Sequence, residues 1–454
     1  MFKLNLIILI LQALIVNPIN CELNSDRKID FENDNKLTDD FKNFIKFSGM
    51  SLYDFQVDKE DGYLTSIQLI EKYGYRSEVH TVETEDGYLL DLHRINGRKD
   101  EPIITNKPVV FLMHGLLCSS SDWILIGPNN SLAYMLVDNG YDVWLGNARG
   151  NRYSRKHKNW DPKMYKFWQF SWHEIGFYDL PAKIDYILSK TKQEKLNYIG
   201  HSQGTTAFFV MTSTKPEYNS KIQLMQALAP VAYLSNMNSP LLKVVTSLLD
   251  SISLIIDAFG VNEFLPNSKF LKFVADIFCT SSAHNNLCLN VLFQLSGADP
   301  DQVDLSVIPV LIGHTPAGAS SKQLIHFGQS VRSGEFRRYD HGKLKNLAMY
   351  GVPEPPKYNL TQISAPIFFH YGLNDYLAHP KDVLKLYAEL SSTVGINQLE
   401  HKLFNHLDFL LAKDIKIMLY QQIVDNIVKY SSKLSTTSNY ILQYYLQFVD
   451  TTLF

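Results

Sequence analysis

A series of apolar runs, each closed by a small or turn-forming residue, constrains this chain most. Lys107-Pro-Val-Val-Phe-Leu-Met113 ends in His114-Gly115, and Tyr141-Asp-Val-Trp-Leu145 ends in Gly146-Asn147. Asn197-Tyr-Ile199 ends in Gly200, Leu224-Met-Gln-Ala-Leu228 in Ala229-Pro230, and Pro366-Ile-Phe-Phe-His-Tyr371 in Gly372. None alternates apolar with polar. A strand with one wet face must alternate, so these strands are buried on both faces, which calls for a parallel sheet covered by helices. Helical patterns at Ser131–Asn139 and Asp179–Thr191 supply such covers. Upstream, Glu78–Thr84 and Tyr88–His93 alternate around Asp86-Gly87 and predict a hairpin. The fold class is therefore α/β, with a mostly parallel sheet flanked by helices.

One strand runs directly into Gly200-His201-Ser202-Gln203-Gly204, and a helical stretch follows. A G-x-S-x-G segment between strand and helix is a nucleophile elbow. The glycines let strand and helix approach, while the serine takes strained backbone angles and stands exposed above the sheet. A serine hydroxyl needs a base, and the base needs an orienting acid. On this scaffold both come from turns after later strands, acid before histidine. Asp375 follows the 366–371 strand directly. His406 lies in Glu400–Phe409, read as a strand ending in a turn. His370 and His401 fall within strands and read as packed or surface groups. Asp382 and Glu389 read as solvated charge on a helix, and Asp408 comes from the histidine's own segment. The catalytic candidates are thus Ser202, Asp375 and His406. Two backbone N–H groups must face the developing oxyanion. Gln203 follows the serine, and Leu116 sits in the turn after the strand ending at Met113. Neither zinc-ligand spacing nor a phosphate or dinucleotide loop occurs, so no metal and no cofactor are expected.

The stretch between the Leu224–Leu228 and Pro366–Tyr371 strands is too long for one crossover helix. Residues 232–357 read as an inserted cap and lid; Lys243, Asp250 and Asp257 make its apolar helices amphipathic rather than membrane-spanning. Residues 56–231 and 358–430 then form the core. At the N-terminus, Met1-Phe2-Lys3 and an apolar run to Val16 predict a signal peptide over 1–21 and entry to the secretory pathway. A polar leader or pro-segment over 22–55 follows, and 431–454 forms a tail without an assigned role. A net charge of −3 with mixed signs gives no nucleic-acid footprint. In an oxidising compartment the neighbouring Cys279 and Cys288 are disulfide candidates, with two buried thiols as the alternative. Cys118 is left unpaired. Asn129 and Asn359 open N-x-S/T sequons and are candidate glycan sites.

His114-Gly-Leu-Leu, Asn129-Asn-Ser-Leu-Ala, Gly140-Tyr-Asp-Val-Trp-Leu-Gly-Asn-Ala-Arg-Gly150, Tyr178-Asp-Leu-Pro-Ala, Gly200-His-Ser-Gln-Gly-Thr-Thr and Asn405-His-Leu-Asp-Phe together resemble the acid lipases, the gastric and lysosomal enzymes and their invertebrate relatives. The resemblance covers roughly residues 60 to 425. It implies an α/β-hydrolase with a helical cap and lid that hydrolyses esters of neutral lipids at a lipid–water interface, in a secreted or lysosomal setting. It maps the family's triad onto Ser202, Asp375 and His406, its oxyanion donors onto Leu116 and Gln203, and its cap disulfide onto Cys279 and Cys288. Cys118 stands where relatives have a small residue. A carboxylesterase for smaller soluble esters and a non-catalytic lipid-binding protein are the alternatives. The second would be free to lose Ser202 or His406, and this chain keeps both.

Overall fold

The computed structural model describes residues 60–248, 262–267 and 285–432. In chain order the strands are β1 (Tyr75–Glu83), β2 (Tyr88–Arg98), β3 (Val109–Met113), β4 (Asp142–Gly146), β5 (Lys156–His157), β6 (Leu196–His201), β7 (Ile222–Leu228), β8 (Glu263–Phe264), β9 (Ala319–Ser320), β10 (Ile367–Tyr371) and β11 (Thr393–Gln398). The main sheet runs β1-β2-β4-β3-β6-β7-β10-β11, with β5 added against β2. From β4 to β11 every neighbouring pair is parallel. The β1–β2 hairpin is antiparallel, and Gly87 takes a φ of +91° in its turn.

The continuous apolar runs behave as two-sided burial requires. Every residue of β3, β4 and β6 is buried. Phe111 of β3 meets the Tyr198 ring of β6 edge-on at 5.5 Å, and Tyr198 leans on Phe208 at 4.9 Å. Each fully buried side chain of this kind contributes roughly 1.5–3 kcal/mol relative to exposure. Helices Leu180–Thr191, Gln203–Thr214, Pro380–Glu389 and Gln421–Ser432 cover the sheet. The chain leaves β3 to one side for β4 and returns on the other side as β6. That reversal opens a crevice at the carboxyl ends of β3 and β6, where ligands bind in doubly wound sheets.

Two expectations need correction. Glu400–Phe409 is not a strand: the edge strand β11 ends at Gln398, and 400–407 is a loop leading into a short helix, Asp408–Leu411. Asn405 and Asp408 exchange side-chain-to-backbone bonds there, which removes groups a sheet ladder would need. Asp382 is not a solvated charge either, whereas Glu389 is exposed as expected. Asp382 is buried and accepts from the Asn236 backbone and side-chain amides at 2.8 and 2.7 Å, while Glu389 accepts from the Tyr233 hydroxyl. Both fasten the Pro380–Glu389 helix to the chain leaving β7.

Between β7 and β10 the described helices are Pro240–Ser247, Asn285–Ser296, Ile308–His314, Ser321–Ser333 and Lys343–Tyr350, with a two-stranded β8–β9 ladder. The signal peptide, the leader, residues 433–454 of the tail and Cys279 lie outside the described residues, as does the side chain of Cys288, while 431–432 continue the Gln421–Ser432 helix. Among the described residues no helix is long and apolar enough to cross a membrane.

Candidate active site

Steric exclusion builds the elbow. Ser202 holds φ +53° and ψ −118° between β6 and the Gln203–Thr214 helix, a region L-residues avoid. A Cβ on Gly204 would stand 2.2 Å from the Met113 carbonyl oxygen, and one on Gly200 would stand 2.9 Å from the Gly204 carbonyl carbon. Only glycine fits at both points. Within the turn, the Ser202 N–H donates to the Leu228 carbonyl at 3.0 Å, and the Thr205 hydroxyl donates to the Ser202 carbonyl at 2.6 Å.

Ser202, His406 and Asp375 come together in one chain of hydrogen bonds. His406 Nδ1 lies 2.8 and 3.0 Å from the two Asp375 carboxylate oxygens, and His406 Nε2 lies 2.8 Å from Ser202 Oγ. With Nδ1–H donating to the carboxylate, Nε2 is left to accept from the serine hydroxyl. His406 and Asp375 are buried, and Ser202 is partly exposed. Asp375 Oδ1 also accepts from the Leu377 and Ala378 N–H groups, both at 2.8 Å, so the carboxylate stays stabilised away from water.

The turn after β3 rests on this group. A Cβ on Gly115 would lie 3.2 Å from Ser202 Cβ. His114 braces the turn: its Nδ1 donates to the Gly115 carbonyl at 2.7 Å, and its Nε2 accepts from the Ala148 N–H at 3.1 Å. Burial holds the ring near a pKa of about 4, so it stays neutral in this role. Leu116 follows, then Leu117 with φ +63° and a carbonyl that accepts from the Ala317 N–H. Gln203 opens its helix, so its N–H has no intrahelical acceptor and lies at the positive end of the helix dipole. Gln203 Nε2 donates to Gln323 Oε1 of the Ser321–Ser333 helix at 2.8 Å. Beneath the β4 turn, the fully buried Arg149 is clamped by Asp179 and Asp86 and lies 4.0 Å over the Tyr88 ring.

Sequence reasoning missed the residues that hold the histidine. His201, inside the elbow, donates Nε2–H to the His406 carbonyl at 3.0 Å. Burial and the neighbouring His406 push its pKa well below the ordinary range, which keeps the ring neutral. Asn405 accepts from the Leu407 N–H at 2.8 Å, while Asp408 accepts from the Asn405 N–H at 2.6 Å. Burial, opposed by that bond and reinforced by nearby Asp299, raises Asp408 to about 8. His401 Nε2 stands 2.7 Å from the buried Asp299 Oδ2. The Ser296 carbonyl accepts from the Tyr376 N–H at 3.2 Å. The histidine in the elbow pentapeptide was the one available signal, since a buried imidazole there must bond something.

Other singled-out residues divide simply. His370 is buried in β10 against Gln226. Cys118 is not disulfide-bonded, and burial raises its thiol well above the ordinary value, so it is no reactive thiolate. Asn129 and Asn359 are exposed, and Asn359 Oδ1 accepts from the Thr361 hydroxyl at 2.7 Å.

A model described as the alpha/beta hydrolase fold matches residues 108–410, and one described as a partial alpha/beta-hydrolase lipase region matches 66–127. Among relatives, Lipase 1 of Drosophila melanogaster is 44% identical over 81% of this chain and 80% of its own length. Gastric triacylglycerol lipase of Rattus norvegicus is 42% identical over 79% and 90%, and human Lipase member K is 40% identical over 79% and 89%. A solved structure from Sulfolobus solfataricus, 12% identical, superposes with a TM-score of 0.53 over 78% of this chain and 95% of that one, a likeness of fold alone. The chain belongs to the acid lipase family, lipid ester hydrolases of the α/β-hydrolase fold.

Proposed function

We propose that Ser202 is the nucleophile of this lipase, His406 its general base and then its general acid, and Asp375 the group that orients the imidazole. The observation that carries this reading is the unbroken run of contacts from Ser202 Oγ through His406 to Asp375, each within 2.8–3.0 Å. Ser202 Oγ attacks the ester carbonyl as its proton passes to His406 Nε2. The tetrahedral oxyanion is received by the N–H groups of Leu116 and Gln203. Collapse expels the alcohol, protonated by His406, and leaves an acyl group on Ser202. Water, deprotonated by His406, then releases the acid. Asp375 holds the tautomer and stabilises the imidazolium.

The substrate class we infer is the neutral lipid ester, triacylglycerol or steryl ester. The names of the gastric relatives and the helical region over the β3–β6 crevice support it. We further infer passage through the secretory pathway to a secreted or lysosomal destination, glycans on Asn129 and Asn359, a Cys279–Cys288 bridge, and a cap over 232–357. The test is an ester-hydrolysis profile across acyl length with Ser202→Ala as control. Hydrolysis of long-chain emulsified esters, lost in the variant, is expected. Activity confined to short soluble esters would favour a carboxylesterase, and no activity on any ester would leave a lipid-binding protein.

A further inference from the structure

One helix on the described surface is out of keeping with its neighbours. Lys343–Tyr350 buries a single residue, Asn346, and that residue is polar. Asn346 Nδ2 donates to Asp340 Oδ1 at 2.8 Å and to the Pro353 carbonyl at 2.9 Å, while its Oδ1 accepts from the His341 N–H at 2.9 Å. The helix is therefore anchored by an amide and not by an apolar face. Its apolar side chains point outward: Leu344 is 88% exposed, Leu347 54%, Met349 54%, and Val352 just beyond it 44%. An ordinary covering helix does the reverse. Pro380–Glu389, for example, buries Val383 and Leu386. Single exposed leucines are common, but Leu344 and Leu347, three residues apart, share one exposed face of the helix, and Met349 and Val352 add exposed apolar surface toward and beyond its end; exposed apolar surface of this kind marks interaction sites.

The charges on the helix itself select its partner, with Glu354 beyond Val352 and Asp340, bonded to Asn346, as the nearby acids. The helix reads Lys-Leu-Lys-Asn-Leu-Ala-Met-Tyr, with exposed cations at Lys343 and Lys345 and no acidic residue. Apolar side chains interleaved with lysines suit a surface of hydrocarbon under anionic headgroups. Its position suits the same partner. The Tyr350 hydroxyl donates to the Tyr339 carbonyl at 3.0 Å, and Lys322 Nζ lies 4.7 Å over the Tyr339 ring. Lys322 adjoins Gln323, whose side chain holds Gln203 beside Ser202. These contacts link the helix to the nucleophile elbow through Tyr339 and the Ser321–Ser333 helix.

We propose that the Lys343–Tyr350 helix, with Leu344, Leu347, Met349 and Val352, is a docking surface for an anionic lipid–water interface. This rests on the reading of the protein as an enzyme of neutral lipid esters, and adds where it seats on its substrate's surface. Docking here does not require residues 241–278, most of which lie outside the described residues.

The experiment uses the full secreted chain, the double variant Leu344→Ser/Leu347→Ser, and the double variant Lys343→Glu/Lys345→Glu. Flotation measures binding to vesicles of phosphatidylcholine alone and of phosphatidylcholine with phosphatidylglycerol. Hydrolysis is followed on an emulsified long-chain triacylglycerol and on a short soluble ester. Removing two exposed leucines should weaken binding to both vesicles by roughly tenfold to a hundredfold. Reversing the lysines should cost about tenfold or more on the anionic vesicles and little on the neutral ones. Both variants should keep wild-type thermal midpoints and soluble-ester rates, with emulsion rates falling in step with binding. Unchanged vesicle binding and emulsion rates in both variants would overturn the proposal. So would a dimer that the leucine variant dissociates while vesicle binding persists, because the patch would then belong to a second copy. A wild-type chain inactive on both esters is a separate result and would refute the enzymatic reading itself.

Discussion

The two halves of the candidate active site are held by different physics. On the elbow side, position is fixed by volume: Gly200 and Gly204 sit where any Cβ would strike backbone, and Ser202 is forced to φ +53°. On the histidine side, position is fixed by polar bonds. His201 holds the His406 carbonyl, Asn405 and Asp408 brace each other, and Asn374 Nδ2 donates to the Ala298 and Leu403 carbonyls at 2.8 and 3.0 Å. The Ser296–Ala298 segment also comes so close that a Cβ on Gly297 would lie 2.0 Å from the Asn374 carbonyl oxygen. The elbow's backbone is set within the sheet and meets the inserted chain through the Gln203 side chain, whereas the histidine and its acid are held at backbone points by the chain inserted between β7 and β10. A change in that inserted region should therefore reach His406 before it reaches Ser202.

That contrast can be broken or sharpened by substitution. The largest effect is expected from Asp375→Asn, which keeps shape but loses the charge that orients His406; kcat should fall about 10⁴-fold with the fold intact. A loss under tenfold in steady-state assays would mean that another group orients the histidine. Gly204→Ala should come next, because its methyl group meets the Met113 carbonyl. We expect about 1–3 kcal/mol lower stability by denaturant unfolding together with a loss of activity. Wild-type stability and rate would show that the elbow is not set by steric exclusion.

His201→Phe retains an aromatic ring and removes the donor to the His406 carbonyl. An unsatisfied buried carbonyl costs roughly 1–3 kcal/mol. We expect kcat about tenfold lower with KM for a soluble ester little changed; a change in KM alone would contradict a positioning role. The smallest effect concerns pH. Asp408 is raised to about 8, so the folded chain holds a proton that the unfolded chain releases near the ordinary aspartate value of 3.8. Its contribution is complete below about pH 4 and is lost as pH rises toward about 8. Asp408→Asn should flatten this alkaline loss, by at most about 1.4 kcal/mol per pH unit. The opposite sign applies to His93 and His114, lowered to about 4, and His370, lowered to about 3. They stabilise the fold above pH 6.5, and that contribution declines as pH falls toward about 3–4. An unchanged pH profile of unfolding in Asp408→Asn would refute the first assignment.

The same contrast governs what could be read from the chain. The parallel strands were legible because two-sided burial leaves continuous apolar runs, and the elbow because its steric demand leaves glycines at fixed spacing. His406 could be picked out by order along the chain, but its loop was misread as a strand, since Leu403 and Phe404 suggest β structure while Asn405 and Asp408 close a turn. Asp382 looked like a solvent-facing charge because its partner, Asn236, lies 146 residues away in sequence. Polar bonds between distant segments leave no periodic trace. The same holds for Gln323, whose contact with Gln203 spans 120 residues.

In the proposed mechanism Ser202 becomes covalently acylated through His406. The most direct measurement is intact-mass and peptide mapping after treatment with a lipid-like organophosphonate, on the wild-type chain and on His406→Ala. One adduct per wild-type chain is expected, on Ser202, with ester hydrolysis lost in proportion, and labelling slowed at least about a hundredfold in His406→Ala. An adduct on any other residue accompanied by loss of hydrolysis, or full hydrolysis persisting after Ser202 is modified, would contradict it.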